Sequence, residues 1–155
     1  MLQRDYLLRE AERFARAMSE VLASIIGARK GGIPVEQLFE VADQELANRT
    51  DIQLREVLDA SPEDILHLLT NQMKLQPLHL EHLSDILVEL ADIGRSSSTP
   101  VSEKDNPVAL LKKAQIILEH ATHADTLYSM ERAAKLDQLT HTLSQHGQEG
   151  ETSTG

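Results

Sequence analysis

One apolar stripe near the amino terminus limits what this chain can fold into more than any other feature. Between Leu2 and Ile26 the apolar side chains recur at alternating spacings of four and three residues, at Leu7, Ala11, Phe14, Met18, Val21 and Ile25. This spacing is typical of one face of an α-helix. A helix of this kind gains most of its stability from packing, so other helices or a second copy of the chain must cover the stripe. We therefore predict a packing or interaction seam along these six residues.

Glycine and proline signals divide the rest of the chain into further helices. Glycine after a helix and proline in a first turn are the usual stop and start signals. Gly27 and Gly94 are read as helix ends, Ser61 as a cap, and Asn106-Pro107 as a cap followed by a first turn. The expected helices after the first cover about 34–48, 52–58, 62–73, 77–93, 107–121 and 126–143. The pattern leaves the helix boundaries between residues 48 and 77 most open.

The fold class that this pattern predicts is all-α, with about six to seven helices in antiparallel hairpins. Alternation of apolar and polar residues over a strand length is missing from the sequence. The segment from Asn106 to about Leu143 has the size of one helix–turn–helix unit of the tetratricopeptide type, although the signature Trp, Leu-Gly and Tyr positions are missing. We expect a tetratricopeptide-like bundle or short solenoid. Residues 1–146 would form one domain, with a mobile linker near 95–106 and a disordered tail at 147–155.

Charge and composition narrow the classes of partner. The chain is acidic, with a net charge of −10, and it contains no cysteine. Residues 33–106 alone carry five basic and fifteen acidic side chains, which would repel a phosphate backbone, so we expect no nucleic-acid partner. No window approaches the ~18 consecutive apolar residues of a membrane span, and no secretory signal is visible. We expect a cytoplasmic protein.

Two histidine pairs are the strongest candidates for a metal site. His79 and His82 are three residues apart on one predicted helix, and His120 and His123 repeat that spacing on another. Residues three apart share a helix face, so two such pairs could hold a metal ion. Against this, His79 falls within the apolar arc of its helix, and His120 and His123 fall on a polar face with Lys112, Lys113 and Glu119. We therefore assign no metal, no cofactor and no catalytic residue, and keep the four histidines as the alternative.

Two short stretches resemble a known family. Asp5-Tyr6-Leu7-Leu8-Arg9 resembles the start of a family of small uncharacterised bacterial helical proteins, a domain of unknown function, and Tyr128-Ser129-Met130-Glu131-Arg132 resembles the last helix of that family. The resemblance implies a bacterial, cytoplasmic, tetratricopeptide-like protein and supplies no activity.

The same stretches predict a structural clasp between the first and last helices. A buried tyrosine normally finds a partner for its hydroxyl. We predict that Tyr6, Arg9, Tyr128 and Arg132 meet where those two helices pack.

These observations favour a non-catalytic protein–protein interaction or scaffold module. Its partner would be a protein or peptide, with a homodimer among the expected forms, and it would act through apolar helix surfaces. The alternative from another class is a metal-binding protein or metal-dependent enzyme that uses the paired histidines.

Overall fold

The structure, a computed structural model, describes residues 2–50, 52–96, 106–124 and 130–153. Within these residues the chain forms seven α-helices and no strand, which confirms the predicted all-α class. The helices are α1 (Leu2–Lys30), α2 (Val35–Thr50), α3 (Leu54–Asp59), α4 (Ile65–His67), α5 (Pro77–Ser96), α6 (Pro107–Ala124) and α7 (Met130–Ser153), and a π-helical turn (Leu68–Gln72) continues α4.

The helix ends show the hydrogen bonds that the start and stop signals predict. Asn106 caps α6, because its Oδ1 accepts a hydrogen bond from the Val108 N–H at 2.8 Å. Gly32 ends α1 in the left-handed region at φ +83°, which glycine adopts without strain. The N–H of Ile33 then donates to the carbonyl of Ala28 at 3.2 Å, so a carbonyl of the last turn is satisfied.

Two glycines that we predicted to end helices lie inside them. α1 continues through the exposed Gly27 to Lys30, and α5 continues through Gly94 to Ser96. A glycine inside a helix costs roughly 1 kcal/mol relative to alanine, which the packing of a long helix can offset. Gly94 also has a packing reason, since a Cβ built there would lie 3.2 Å from Pro107 Cγ. Its small size lets the end of α5 approach the start of α6.

The segment between α2 and α5 folds into short helical turns. Ser61 Oγ accepts a hydrogen bond from the Asp64 N–H at 3.3 Å, but regular α-helix begins only at Ile65. The π-helical turn closes with a bond from the Met73 N–H to the Leu68 carbonyl at 2.9 Å. Lys74 follows at φ +55°, and this left-handed residue turns the chain towards α5.

Helix α5 lies at the centre of the fold. It packs against α1 on one side and α6 on the other, while α2 covers α1 and α7 covers α6. Its apolar face is almost fully buried and comprises Leu80, Leu83, Ile86, Leu87, Leu90, Ala91 and Ile93. α1 contributes Met18, Val21 and Ile25 to the same core. The antiparallel pairing of α1 and α2 brings Arg49, at the end of α2, into an ion pair with Glu20.

The predicted single domain at 1–146, its linker and its tail stay predictions. The predicted linker at 95–106 begins inside α5, and its residues 97–105 lie outside the described part of the chain. α7 runs as helix to Ser153, through most of the segment that we expected to be a disordered tail. Extending a formed helix adds one hydrogen bond per residue with no new nucleation cost, which favours this continuation. The tetratricopeptide-like arrangement stays a prediction.

None of the helices in the described part of the chain combines the length and the apolar character that crossing a membrane requires.

Candidate helix-binding cleft

A cleft of about 370 Å³ opens where α5, α6 and α7 meet. Its floor is apolar, because Leu111 and Leu118 of α6 and Leu139 of α7 lie there with Val88 of α5. Its rim is polar and is formed by Asp85, Glu89, Asp92, Arg95, Lys135, Gln138 and Thr142. An apolar floor with a few charged groups around it is the usual composition of a binding site.

Four carboxylates form an acidic ridge along α5, and the last three of them line the cleft. They are Glu81, Asp85, Glu89 and Asp92, and their spacings of four, four and three residues place them on one face of the helix. The ridge lies opposite the apolar arc of α5, as expected for a polar face. In the folded chain, however, cations from the two neighbouring helices α1 and α7 contact it along its length.

The amino-terminal end of the ridge binds α7. Arg132 donates to Glu81 Oε2 from Nε at 3.3 Å and from Nη2 at 3.2 Å. Lys135 Nζ donates to the other oxygen, Glu81 Oε1, and to Asp85 Oδ2, both at 3.1 Å. Arg132 and Glu81 are buried, with exposed fractions of 4% and 8%. Because both side chains are buried, the ion pair between Arg132 and Glu81 is largely desolvated. It is a specific contact and not a weak ion pair at the surface.

The carboxyl-terminal end of the ridge binds α1. Arg29 Nη1 donates to Glu89 Oε1 at 3.3 Å and to Asp92 Oδ2 at 3.0 Å. The side chain of Asp92 is 53% exposed, so this contact is open to water. Interactions of this exposed kind contribute little to stability. Glu81, at one end of the ridge, therefore forms a buried ion pair, whereas Asp92, at the other end, forms an exposed one.

The two carboxylates beside Lys135 differ in acidity. Burial works against ionisation of Glu81, but the hydrogen bonds and charges of Lys135 and Arg132 outweigh burial and hold its pKa below the ordinary value. Burial raises the pKa of Asp85, and the attraction of Lys135 does not fully offset it. Burial alone would lower the pKa of Lys135, but the two carboxylates outweigh it and raise the pKa. Glu81 is therefore the more firmly ionised member of the pair.

The serine beside the cleft is engaged in packing the helices. Ser84 is 1% exposed, and its Oγ donates to the backbone carbonyl of Ala114 at 3.1 Å. This hydrogen bond ties α5 to α6 beneath the cleft. The hydroxyl proton is therefore given to a backbone carbonyl, and this contact does not activate the oxygen as a nucleophile.

The four candidate metal ligands occupy different environments. His79 is buried and its ring lies 4.1 Å from the ring of Phe14, between centroids, so it joins α5 to α1. His82 and His120 are half-buried, and His123 is exposed. Among the side chains that the structure describes, no three histidines, aspartates or glutamates come together as a metal site would require.

The predicted seam and clasp are only partly within the described side chains. Met18, Val21 and Ile25 are buried in the chain's own core and Phe14 is half-buried, while the side chains of Leu7 and Ala11 lie outside the described set.

Of the clasp, Arg9 is exposed and Arg132 contacts Glu81. The side chains of Tyr6 and Tyr128 are not among those described, so the clasp stays a prediction.

Sequence reasoning missed two buried charged residues. Carboxylates on the polar face of a helix are expected to be solvated, yet Glu81 is buried against Arg132, 51 residues away in the chain. We placed Lys113 on a polar face, yet it is 5% exposed and donates to the backbone carbonyls of Val57, at 3.4 Å, and Leu58. The spacing of the four ridge carboxylates indicates a shared helix face, but it does not indicate which side chains pack over that face.

The fold and the cleft together define the class of an all-α helical bundle with a groove between helices. Comparison with protein-family models, curated proteins and solved structures finds no match to this chain. The resemblance of the two short end stretches to a bacterial helical family stays a prediction.

Proposed function

We propose that this protein is a non-catalytic interaction module that binds an amphipathic helical segment of a partner protein in the cleft between α5 and α7. The observation that carries this proposal is the cleft itself, with its leucine floor and charged rim. Its volume of about 370 Å³ admits a few apolar side chains, and helix-in-groove recognition uses such anchors at spacings of three and four residues.

The charge of the cleft specifies the polar face of that segment. Asp85, Glu89 and Asp92 line the α5 wall, and Asp92 is more than half exposed. An incoming cation beside the apolar anchors would meet carboxylates that are open to water on one side. Charge complementarity of this kind raises the association rate and selects among partners more than it raises affinity. We propose a partner segment with leucine-like anchors and lysine or arginine on its flank.

A titration with a synthetic peptide tests this function. The probe is a 16-residue peptide with leucines at helical spacing and lysines on the flank, added to ¹⁵N-labelled full-length protein. Amide shifts should change around Val88, Gln138 and Leu139, and the same peptide with glutamate in place of lysine should leave them unchanged. Shifts confined to residues far from the cleft, or no shifts at millimolar peptide, would contradict the proposal.

A matched pair of variants sharpens the test. Val88→Lys places a charge on the cleft floor, while Ile33→Lys places the same charge at an exposed apolar position outside the cleft, where the exposed fraction is 36%. Val88→Lys should weaken peptide binding at least tenfold and Ile33→Lys should leave it unchanged.

The proposal also includes the cellular location, the origin and the oligomeric state of the protein. We propose that it is a cytoplasmic bacterial protein, with a tetratricopeptide-like arrangement of helices, that forms a homodimer. Sedimentation of the full chain at micromolar concentration tests self-association directly, and a strictly monomeric result would remove the homodimer.

A further inference from the structure

Helix α7 is held on the body of the protein by charge at one end and by few leucines along its length. Arg132 and Lys135 contact the acidic ridge of α5. Among the apolar side chains, Leu139 is buried, Leu136 and Leu143 are half-buried, and Met130 is 78% exposed. A helix with so narrow an apolar contact gains little from packing, so the two cations decide where it lies.

The surface beneath α7 is larger than α7 fills. The cleft beside it is lined on one wall by α5 and on its floor by Leu111 and Leu118 of α6. Helices that fill the groove between two neighbours leave few voids larger than a water molecule. The open volume therefore shows that α5 and α6 present a groove that the chain's own last helix covers incompletely.

We propose that the face formed by α5 and α6 docks a helix from another protein that carries two cations three residues apart beside a leucine stripe, and that α7 occupies this face as an internal competitor. This inference goes beyond the proposed function, because the docked helix would replace α7 on this face and would not lie beside α7 in the cleft. The argument for the occupant is charge complementarity, because Glu81 and Asp85, four residues apart on one face of α5, contact Arg132 and Lys135, three residues apart on α7. A buried charged pair of this kind best serves to set the register of a docked helix.

α7 can compete with a free helix because it is covalently attached to the same chain. A helix attached to the same chain acts at an effective concentration in the millimolar range, so it excludes a free helix of similar affinity. Weakening the contact of α7 with the ridge should therefore expose the site to a helix supplied in trans. The ridge carboxylates remain intact in such a variant.

The test uses the full chain and a labelled peptide that spans residues 130–145, with binding measured by fluorescence anisotropy. The variant is Lys135→Glu, and the matched control is Arg49→Glu, which reverses the charge of another helix-borne cation in an exposed pair far from the cleft. The peptide should bind the Lys135→Glu protein at least tenfold more tightly than it binds wild type or Arg49→Glu. Equal affinity for all three proteins would overturn the internal competitor. If circular dichroism shows Lys135→Glu to be unfolded, Lys135→Gln carries the same comparison.

The chemistry of the partner is tested with a second peptide. The same peptide with Arg132→Glu and Lys135→Glu should lose binding to the Lys135→Glu protein by at least tenfold. Unchanged affinity would overturn recognition by the cation pair. A wild-type dimer in sedimentation that Glu81→Arg abolishes would assign the face to a second copy of the chain, and this too would overturn the partner proposed here.

Failure of this inference is distinguishable from failure of the proposed function. Cleft shifts with the lysine peptide on wild type, without a gain in Lys135→Glu, would leave the interaction module standing and remove the competitor. Tighter peptide binding to Lys135→Glu, without cleft shifts on wild type, would leave the internal competitor standing and remove the interaction module.

Discussion

Arg132 of α7 and Glu81 of α5 form a two-donor contact across 51 residues of sequence, with Nε and Nη2 of the guanidinium at 3.3 and 3.2 Å from a single carboxylate oxygen. Lys135 takes the other oxygen at 3.1 Å. Both oxygens of Glu81 are therefore used to hold one helix. The carboxylate attaches the last helix to the central one, one helical turn before Asp85, which lines the candidate cleft.

Removing this carboxylate should destabilise the protein strongly. In Glu81→Ala the buried guanidinium of Arg132 loses the Glu81 carboxylate, and breaking a buried pair from one side costs about 3–5 kcal/mol. The free energy of unfolding from urea titrations, followed by circular dichroism, measures the loss.

The control for this variant removes a carboxylate from an exposed pair. Glu45 lies 2.6 Å from Arg49 one helical turn away, where both side chains are about a third exposed. Glu45→Ala should cost far less than Glu81→Ala, because water screens the pair. Equal losses in the two variants would contradict the special role of Glu81.

The Glu81 contact should also fail in acid. The folded pKa of Glu81 lies below its ordinary value of 4.5, so folding favours the ionised form. Its contribution to stability is fully present above pH 4.5 and is lost as the pH falls through the folded pKa. The difference in unfolding free energy between wild type and Glu81→Gln should be constant from pH 7 down to about pH 5 and should shrink below pH 4.5. If this difference in unfolding free energy grows as the pH falls, the prediction is contradicted.

We predict that the buried ammonium group of Lys113 stabilises the carboxyl-terminal end of α3. Its ammonium donates to the carbonyls of Val57 and Leu58 in the last turn of that helix. Lys113→Met keeps the length of the side chain but leaves the carbonyls without this donor, at a cost of about 1–3 kcal/mol. Lys112→Met, at the exposed neighbouring position, should change stability by no more than about 0.5 kcal/mol. Thermal melts of the two variants, which differ by one position in sequence, decide between a buried and a solvated lysine.

Gly27 and Gly94, which lie inside α1 and α5, should respond to substitution in opposite directions. A Cβ at Gly27 meets nothing within 4 Å, so Gly27→Ala should stabilise the protein by about 0.5–1 kcal/mol through reduced backbone entropy of the unfolded chain. A Cβ at Gly94 lies 3.2 Å from Pro107 Cγ, and Gly94→Val should destabilise by about 1–3 kcal/mol through overpacking. Chemical denaturation of both variants against wild type measures the two effects. Stabilisation by Gly94→Val would show that α5 and α6 do not approach as closely as described.

Helix positions were largely predictable because they depend on neighbouring residues. The spacing of apolar residues in α1, α5 and α6 and the cap at Asn106 are local signals, and each appears in the structure as predicted. Gly94 was misread because a glycine that ends a helix and a glycine that admits a neighbour look the same in a sequence.

The candidate site was much less predictable. Each ridge carboxylate lies on the polar side of its helix, where a solvated face is the expected state. The cations that contact the ridge come from residues 29, 132 and 135, on two other helices. Pairings over such sequence separations leave no periodic signal, so a single sequence does not reveal which polar face becomes buried.

By itself, therefore, the order of residues determined an all-α chain with a long striped first helix, because helix formation responds to spacing over three and four positions. Only the tertiary structure decided that α5 and not α1 lies at the centre, that Glu81 and Lys113 are buried, and that a cleft opens between α5 and α7. Those outcomes depend on which helices meet, and burial of a charge is decided by what packs over it, not by the residues beside it in the chain.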